Sequence, residues 1–250
     1  MKVPSTNKRI IDILNIARYA PSSHNTQPWQ VTAKGSELII GYSPARQLSV
    51  GDPNNRELFI SLGCFLGTMI LASKEFGYSL SYSYLGNNPR RTLRAILTPA
   101  RASETKWSKL VKQRRSDRNI YQDRKLDPGA VRQLAKQQHG MAKFYIYQDP
   151  GAIELLSVAT HSATLSIMSK QEFRDELAGW VRNNWTKKPD GMPGYTQGMP
   201  GPISLIAKFV IRKTKKVAKD QAKKDAKRVL NSAAIGLICI EKNSPEAWID

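Results

Sequence analysis

The stretch NNRELFISLGCFLGTMILASKEFG at 54–77 constrains this chain most, because it reads as a helix that is apolar on nearly every side. Such a helix has no face to offer to water and must be buried in a core. Its apolar centre, ISLGCFLGTMILAS at 60–73, includes Gly and Ser and falls short of the roughly 18 apolar residues of a membrane span. It is therefore expected to be the buried helix of a globular domain, with Gly77 as its C-terminal stop. The chain has 250 residues, 40% of them hydrophobic, which suffices for one large domain or two small ones.

The remaining pattern supplies what such a helix would pack against. Ile10, Ile11, Ile13, Leu14, Ile16 and Ala17 give 7–20 a helical apolar face. Ser5, Thr6 or Asn7 can cap it, and Pro21 lies beyond its end. Residues 29–33 and 37–42 read as a hairpin around Lys34-Gly35-Ser36. A loop follows at 44–54, and strands are expected at 79–85 and 93–98. A helix at 104–115 and another starting at Pro128 precede a strand at 143–148. Residues 150–182 read as mostly helical, interrupted around 162–168. The stretch TKKPDGMPGYTQGMPGP at 186–202 holds four Pro and four Gly and reads as an irregular loop. A basic helix over 203–230 and a buried strand over 232–242 come last. The mixture of helices, hairpins and strands argues α+β rather than a βαβ series. There is no tandem repeat, only a loose echo of helix, turn and strands around 7–42 and 104–148. The expected organisation is a first half over 1–103 and a second over 104–250, with 186–230 as a lid-like insert. SPEAWID at the end reads as the first turn of an element cut short, so the second half is expected to be incomplete.

Two cysteines, Cys64 and Cys239, both in apolar runs, disfavour a disulfide framework or a zinc site, and a reducing cytoplasm is the expected compartment. MKVPSTNKRIID lacks a signal peptide's apolar core. The formal net charge of +19 is concentrated: 208–228 holds ten Lys or Arg against two Asp. Such a stripe suits nucleic acid, an acidic membrane or phosphate. Leu205, Ile206, Phe209, Val210 and Val217 fall near helical spacing between the lysines, which favours a solvated lid or connector helix over a polyanion site.

No nucleophile elbow, P-loop or dinucleotide fingerprint occurs. His24, His139 and His161 lack metal-ligand spacing. Neither catalytic residues nor a metal centre is therefore expected. Two stretches stand out instead. APSSHNTQPW at 20–29 carries more hydrogen-bonding side chains than a helix-to-strand turn needs. In RRSDR at 114–118, Arg114, Ser116 and Arg118 would point to one side if extended, offering two guanidinium forks and a hydroxyl to a phosphate. The competing reading is a basic helix end whose arginines face the helix dipole.

Together the two stretches resemble the nitroreductase family. PSSHNTQPW is similar to that family's P-S-S-x-N-x-Q-P-W segment, and RRSDRNIY to its R-x-S-x-R/K-x-F/Y phosphate segment. The likeness is to the Acg-like branch, in which two nitroreductase halves share one chain. DPNNRELFISLGCFLGTMILASKEFGY at 52–78 and DELAGWVRNNWTKKPDGMPGYTQG at 175–198 also resemble it. The resemblance implies an antiparallel or mixed sheet flanked by helices, pseudo-dimeric halves or a homodimer, and an FMN site. By similarity, Arg114, Ser116 and Arg118 would hold the FMN phosphate and ribityl chain. Pro21, Ser22, Ser23 and Asn25 would lie along the ribityl chain and ring. Gln27 would either join them or serve the turn. Trp29 reads as a core anchor, and His24 as a surface or groove-lining residue rather than an acid. The implied activity carries electrons from NAD(P)H through FMN to nitro compounds, quinones or similar acceptors.

The family's second half continues beyond the point where Asp250 stands, so weak or absent FMN is expected in the chain as given. The branch also includes flavin-sequestering members, which makes flavin binding without turnover the alternative. A nucleic-acid- or membrane-surface-binding protein using the basic stripe is the rival of a different class, although no recognised nucleic-acid motif supports it.

Overall fold

A computed structural model of the chain describes residues 7–122, 124–136, 138–139, 142–214 and 216–250. The chain forms two compact units, one of residues up to Ser116 together with Ser244–Asp250, the other Asp117–Asn243. The architecture is mixed α+β.

The first unit is organised around the apolar helix. Helix α1 (Lys8–Ala17) is capped by Asn7, whose side chain accepts from the Arg9 N–H. The other two candidate caps, Ser5 and Thr6, lie outside the described residues. Strands β1 (Trp29–Lys34) and β2 (Glu37–Tyr42) pair antiparallel, from Trp29 opposite Tyr42 to Lys34 opposite Glu37. Gly35, at φ +60°, allows the two-residue turn. Helix α2 (Arg56–Glu75) starts with its Leu58 N–H donating to the buried Asp52 carboxylate, 2.9 Å away. It ends ahead of Gly77, whose φ of +78° turns the chain into β3 (Tyr78–Tyr84). Strand β4 (Leu93–Pro99) completes an antiparallel sheet of order β1-β2-β4-β3. Helix α3 (Trp107–Gln113) packs on α2.

Alternation along the strands turns Val31, Ala33, Leu38, Ile40, Leu93, Ala95 and Leu97 inward. They meet Ile13 and Leu14 of α1 and Phe59, Leu62, Phe65 and Met69 of α2 in one core. Each such side chain contributes about 1.5–3 kcal/mol by leaving water. By length and composition α2 could cross a bilayer, but it is the centre of this core, with half of its apolar window buried. The C-terminal helix Pro245–Ile249 packs on α2, with Ile249 in the core and Trp248 against Phe59. Its neighbour Asp250 accepts a hydrogen bond from the Tyr82 hydroxyl at 2.9 Å.

Burial and the Asp250 carboxylate push the Tyr82 pKa up to about 12. The folded value lies above the unfolded one, so this contribution to stability is complete below about pH 10 and is lost as pH rises through 12. Tyr82→Phe should therefore remove part of the alkaline fall in stability between these limits, as read by denaturation at successive pH values.

The second unit begins with α4 (Pro128–Ala135), capped by Asp127. Strands β5 (Gln138–His139) and β6 (Ala142–Tyr147) follow, then α5 (Pro150–Ser169) and α6 (Gln171–Trp180). The interruption expected at 162–168 is absent. The break lies at Lys170, because buried Arg174 donates to the Met168 and Ser169 carbonyls at 2.9 and 2.8 Å and so satisfies the end of α5. Next come the short parallel pair β7 (Val181–Arg182) and β8 (Met192–Pro193), and helices α7 (Gly201–Lys213) and α8 (Lys216–Leu230). The single basic helix expected over 203–230 is thus two helices, with Thr214 extended at the end of α7. Ala218 and Ala222 let α8 lie close along α5, and the Ser157 hydroxyl donates to the Ala226 carbonyl at 2.8 Å.

Strand β9 (Ile235–Ile240) joins β6 to give the antiparallel order β5-β6-β9. The sequence reads β9 as buried, yet four of its six residues are exposed, Leu237 and Ile238 among them. Hydrophobicity records which residues prefer a core, not whether a layer is present to form one.

Candidate functional site

The PSSHNTQPW segment builds an unusual turn. Pro21 follows α1 and leads into a 3-10 turn at Ser23–Asn25, and Pro28 is fully buried ahead of β1. Three non-glycine residues here have left-handed backbones: His24 at φ +49°, Asn25 at +52° and Gln27 at +50°. Each such conformation costs of order 1–3 kcal/mol and persists only where its surroundings hold it. The holding groups are visible. The Gln27 N–H donates to the Ser22 hydroxyl at 2.9 Å, and the Asn25 and Thr26 N–H groups to the Ser22 and Ser23 carbonyls at 2.9 and 3.0 Å. The Gln27 side-chain amide donates to Asn25 Oδ1 at 3.3 Å, and the Arg46 guanidinium donates to the Thr26 carbonyl.

Helix α2 anchors this turn. The Ser23 N–H donates to Ser61 Oγ at 3.4 Å, and the Ser23 hydroxyl to Glu57 Oε2 at 2.8 Å. Trp29 is the anchor expected of it, stacking on Phe65 with ring centroids 4.9 Å apart. His24 is half-buried beside these residues.

Arg114 approaches the same helix from another direction. It is the C-cap residue of α3 and is extended, and its guanidinium donates to Ser116 Oγ at 3.4 Å. Burial pushes the Cys64 thiol pKa up, the Arg114 charge opposes that shift, and Glu57 adds to it. Arg114 therefore lies within electrostatic reach of Cys64. Glu57, Ser61 and Cys64 are spaced i, i+4, i+7 and share one face of α2. Helix α2 thus holds the polar turn through Glu57 and Ser61 and packs against α3, which ends at Arg114. Arg115 behaves differently: its guanidinium donates to the Lys112 and Arg114 carbonyls at 2.6 and 2.8 Å, as the helix-end reading requires. Arg118 belongs to the second unit. There Asn119, Ile120 and Tyr121 line an open groove of about 860 Å³ with Leu156, Thr160 and Val229.

Glu57 and Ser61, which hold the turn, and Cys64 beside them were not singled out by sequence reasoning. Their signal was present as polar residues at helical spacing on an otherwise apolar helix. Among the described residues, no group of His, Cys, Asp or Glu is arranged to hold a metal ion.

Because Ser22 receives the Gln27 N–H, Ser22→Ala should destabilise the first unit by about 1 kcal/mol. The Gln27 amide should also exchange its hydrogen faster. Unchanged exchange at Gln27 would mean that the turn is held by other contacts.

The fold and this region define a mixed α+β protein with a strained polar turn anchored on a buried helix. Sequence comparison gives the class a more particular likeness. Two curated proteins are similar to the chain: "Putative NAD(P)H nitroreductase Rv3131" of Mycobacterium tuberculosis, 25% identical over 67% of this chain and 49% of that protein, and "Probable NAD(P)H nitroreductase PigM" of Serratia, 28% identical over 80% of this chain and 58% of that protein. The chain thus spans between about half and three-fifths of the length of these relatives. No protein-family profile matches it.

Proposed function

We propose that this chain is an FMN-dependent oxidoreductase that passes electrons from NAD(P)H to nitro compounds, quinones or similar small acceptors. The names of its relatives support an oxidoreductase. The observation that carries the cofactor reading is that α2 anchors the PSSHNTQPW turn through Glu57 and Ser61 and also packs against α3, whose C-cap is Arg114, all within one unit. The donor set fits the group. A phosphate dianion suits the exposed Arg114 guanidinium with Ser116 beside it. Ribityl hydroxyls suit the exposed acceptor oxygens of Glu57, while the buried Ser61 holds the turn. A ring edge bearing both donors and acceptors suits the amides of Asn25 and Gln27, which do both. Arg118, which belongs to the other unit, is not part of this set, and Pro21, Ser22 and Ser23 form the wall of the ring site. The Acg-like branch, with two halves in one chain, is the finer part of the same proposal.

When bound, FMN supplies the two-electron chemistry. The protein's own residues have positional tasks. The strained turn is organised by its own hydrogen bonds before any ligand arrives, so little ordering cost falls on binding. The positive charge of Arg114 favours an anionic ligand on this face. No general acid or base is demanded of the chain.

The test is anaerobic mixing of FMN-loaded protein with NADPH, followed at the flavin visible band. Rapid bleaching, restored by a nitro compound or quinone, is the expected result. Bound flavin that NADPH does not bleach would establish sequestration without turnover. Protein that takes up no flavin would overturn both readings.

A further inference from the structure

Helix α7 is mounted with its apolar side outward. It buries Ser204, Ala207 and Ile211 against Ala178 and Val181, a seat of mostly small residues. The opposite side carries Leu205, Ile206 and Phe209, which are 60%, 56% and 65% exposed. A helix in water ordinarily shows the reverse arrangement. Trp185, 63% exposed, extends this surface, because its indole lies against Gly201 at the start of α7. The loop that carries Trp185 is firmly built. The Asn184 N–H donates to the Ser204 hydroxyl, its side-chain amide to the Met199 carbonyl, and its Oδ1 accepts from the Tyr195 N–H at 2.7 Å. The surface is thus a formed feature of the second unit.

Cations flank it. Lys208, Arg212 and Lys213 stand on α7 itself. The pKa of Lys208 is lowered by burial and then by the charges of Arg182, Lys188 and Arg212; of these, Arg182 is buried and paired with Asp190 at 3.1 Å, whereas the exposed Arg212 lies 3.7 Å from Asp175. The whole chain carries +19.

We propose that this face of α7 docks on an anionic lipid surface, with Leu205, Ile206, Phe209 and Trp185 entering the acyl boundary and the surrounding Lys and Arg meeting acidic headgroups. An outward apolar ridge, an amphipathic aromatic residue and a basic flank are what interfacial helices use. Charge argues against a second copy as occupant, because face-to-face pairing would bring two such basic flanks together. Nucleic acid fits less well: Phe209 and Trp185 offer stacking faces, but Leu205 and Ile206 beside them gain nothing from bases and need a medium that buries aliphatic surface. The proposal is independent of the flavin reading, which concerns the first unit.

Vesicle flotation at about 150 mM salt tests it. Vesicles of phosphatidylcholine with roughly 30% phosphatidylglycerol should carry the protein upward, and pure phosphatidylcholine vesicles should carry at least about tenfold less. Ile206→Ser/Phe209→Ser should abolish flotation. Lys208→Ala/Arg212→Ala should reduce it by on the order of fivefold or more per charge. All four side chains are exposed, and unchanged circular dichroism verifies the fold. Three results would overturn the proposal: no flotation by the unaltered protein, flotation that ignores the Ile206 and Phe209 changes, or a self-association abolished by those changes in protein that does not float. Duplex binding at the same salt that outcompetes vesicles would overturn it in favour of nucleic acid.

Discussion

Arg114→Ala is expected to weaken FMN binding about 10- to 100-fold while leaving the melting temperature unchanged. The magnitude follows from one hydrogen bond to a charged group, which contributes about 1.5–3 kcal/mol, with about 1.4 kcal/mol for each tenfold. Thermal stability should not move because Arg114 is exposed, and its one described side-chain partner is Ser116 at 3.4 Å. Arg114→Lys should fall between the two, since an ammonium keeps the charge and loses the fork. Ser116→Ala removes only a neutral hydroxyl and should cost a few-fold. The contrast residue is Arg115, whose guanidinium is turned back onto the carbonyls that end α3. Arg115→Ala should therefore affect stability slightly and FMN hardly at all. If the two arginines exchanged these roles, the phosphate assignment would be wrong.

The second large effect concerns two glycines of one helix. Helix propensity alone would make Gly→Ala at either position stabilising by about 0.5–1 kcal/mol. At Gly67 nothing lies within 4 Å of an added Cβ, so Gly67→Ala should show that gain. At Gly63 the added carbon would stand 2.1 Å from the Ile249 carbonyl oxygen, and backbone cannot swing aside as a side chain can. The C-terminal helix would have to leave α2, taking Ile249 from the core and Trp248 from Phe59. Loss of packing on that scale costs about 2–5 kcal/mol and outweighs the propensity gain. Gly63→Ala should thus lower the denaturation midpoint while Gly67→Ala raises it. Equal signs would show that the C-terminal helix contributes little to the first unit.

The elements of the first unit were legible because each satisfied local and global demands together. Asn7 caps a helix whose apolar spacing is helical, Gly35 takes the positive φ of a hairpin turn, and α2 is apolar over most of its surface because much of it packs in the core. The second unit was legible only in outline. The end of α5 depends on Arg174 reaching back five and six residues to the Ser169 and Met168 carbonyls, an event with no periodic signature. Helix α7 misled for a different reason. Leu205, Ile206 and Phe209 have core-like spacing, but Ser204, Ala207 and Ile211 won the buried seat because a small-residue face lets helices approach closely. At the turn, the surplus of hydrogen-bonding side chains in PSSHNTQPW was legible, whereas its backbone conformation was not. Glycine would be the expected residue at φ near +50°, and His24, Asn25 and Gln27 hold that conformation through Ser22 and α2 instead.

The central claim is that this helix face, with its turn and Arg114, holds FMN. The most direct measurement is titration of FMN into the purified protein, followed by quenching of flavin fluorescence. Saturable quenching that Arg114→Ala weakens and Ile206→Ser/Phe209→Ser leaves unchanged is the expected result. An absence of saturable quenching, or saturation indifferent to Arg114, would contradict the account.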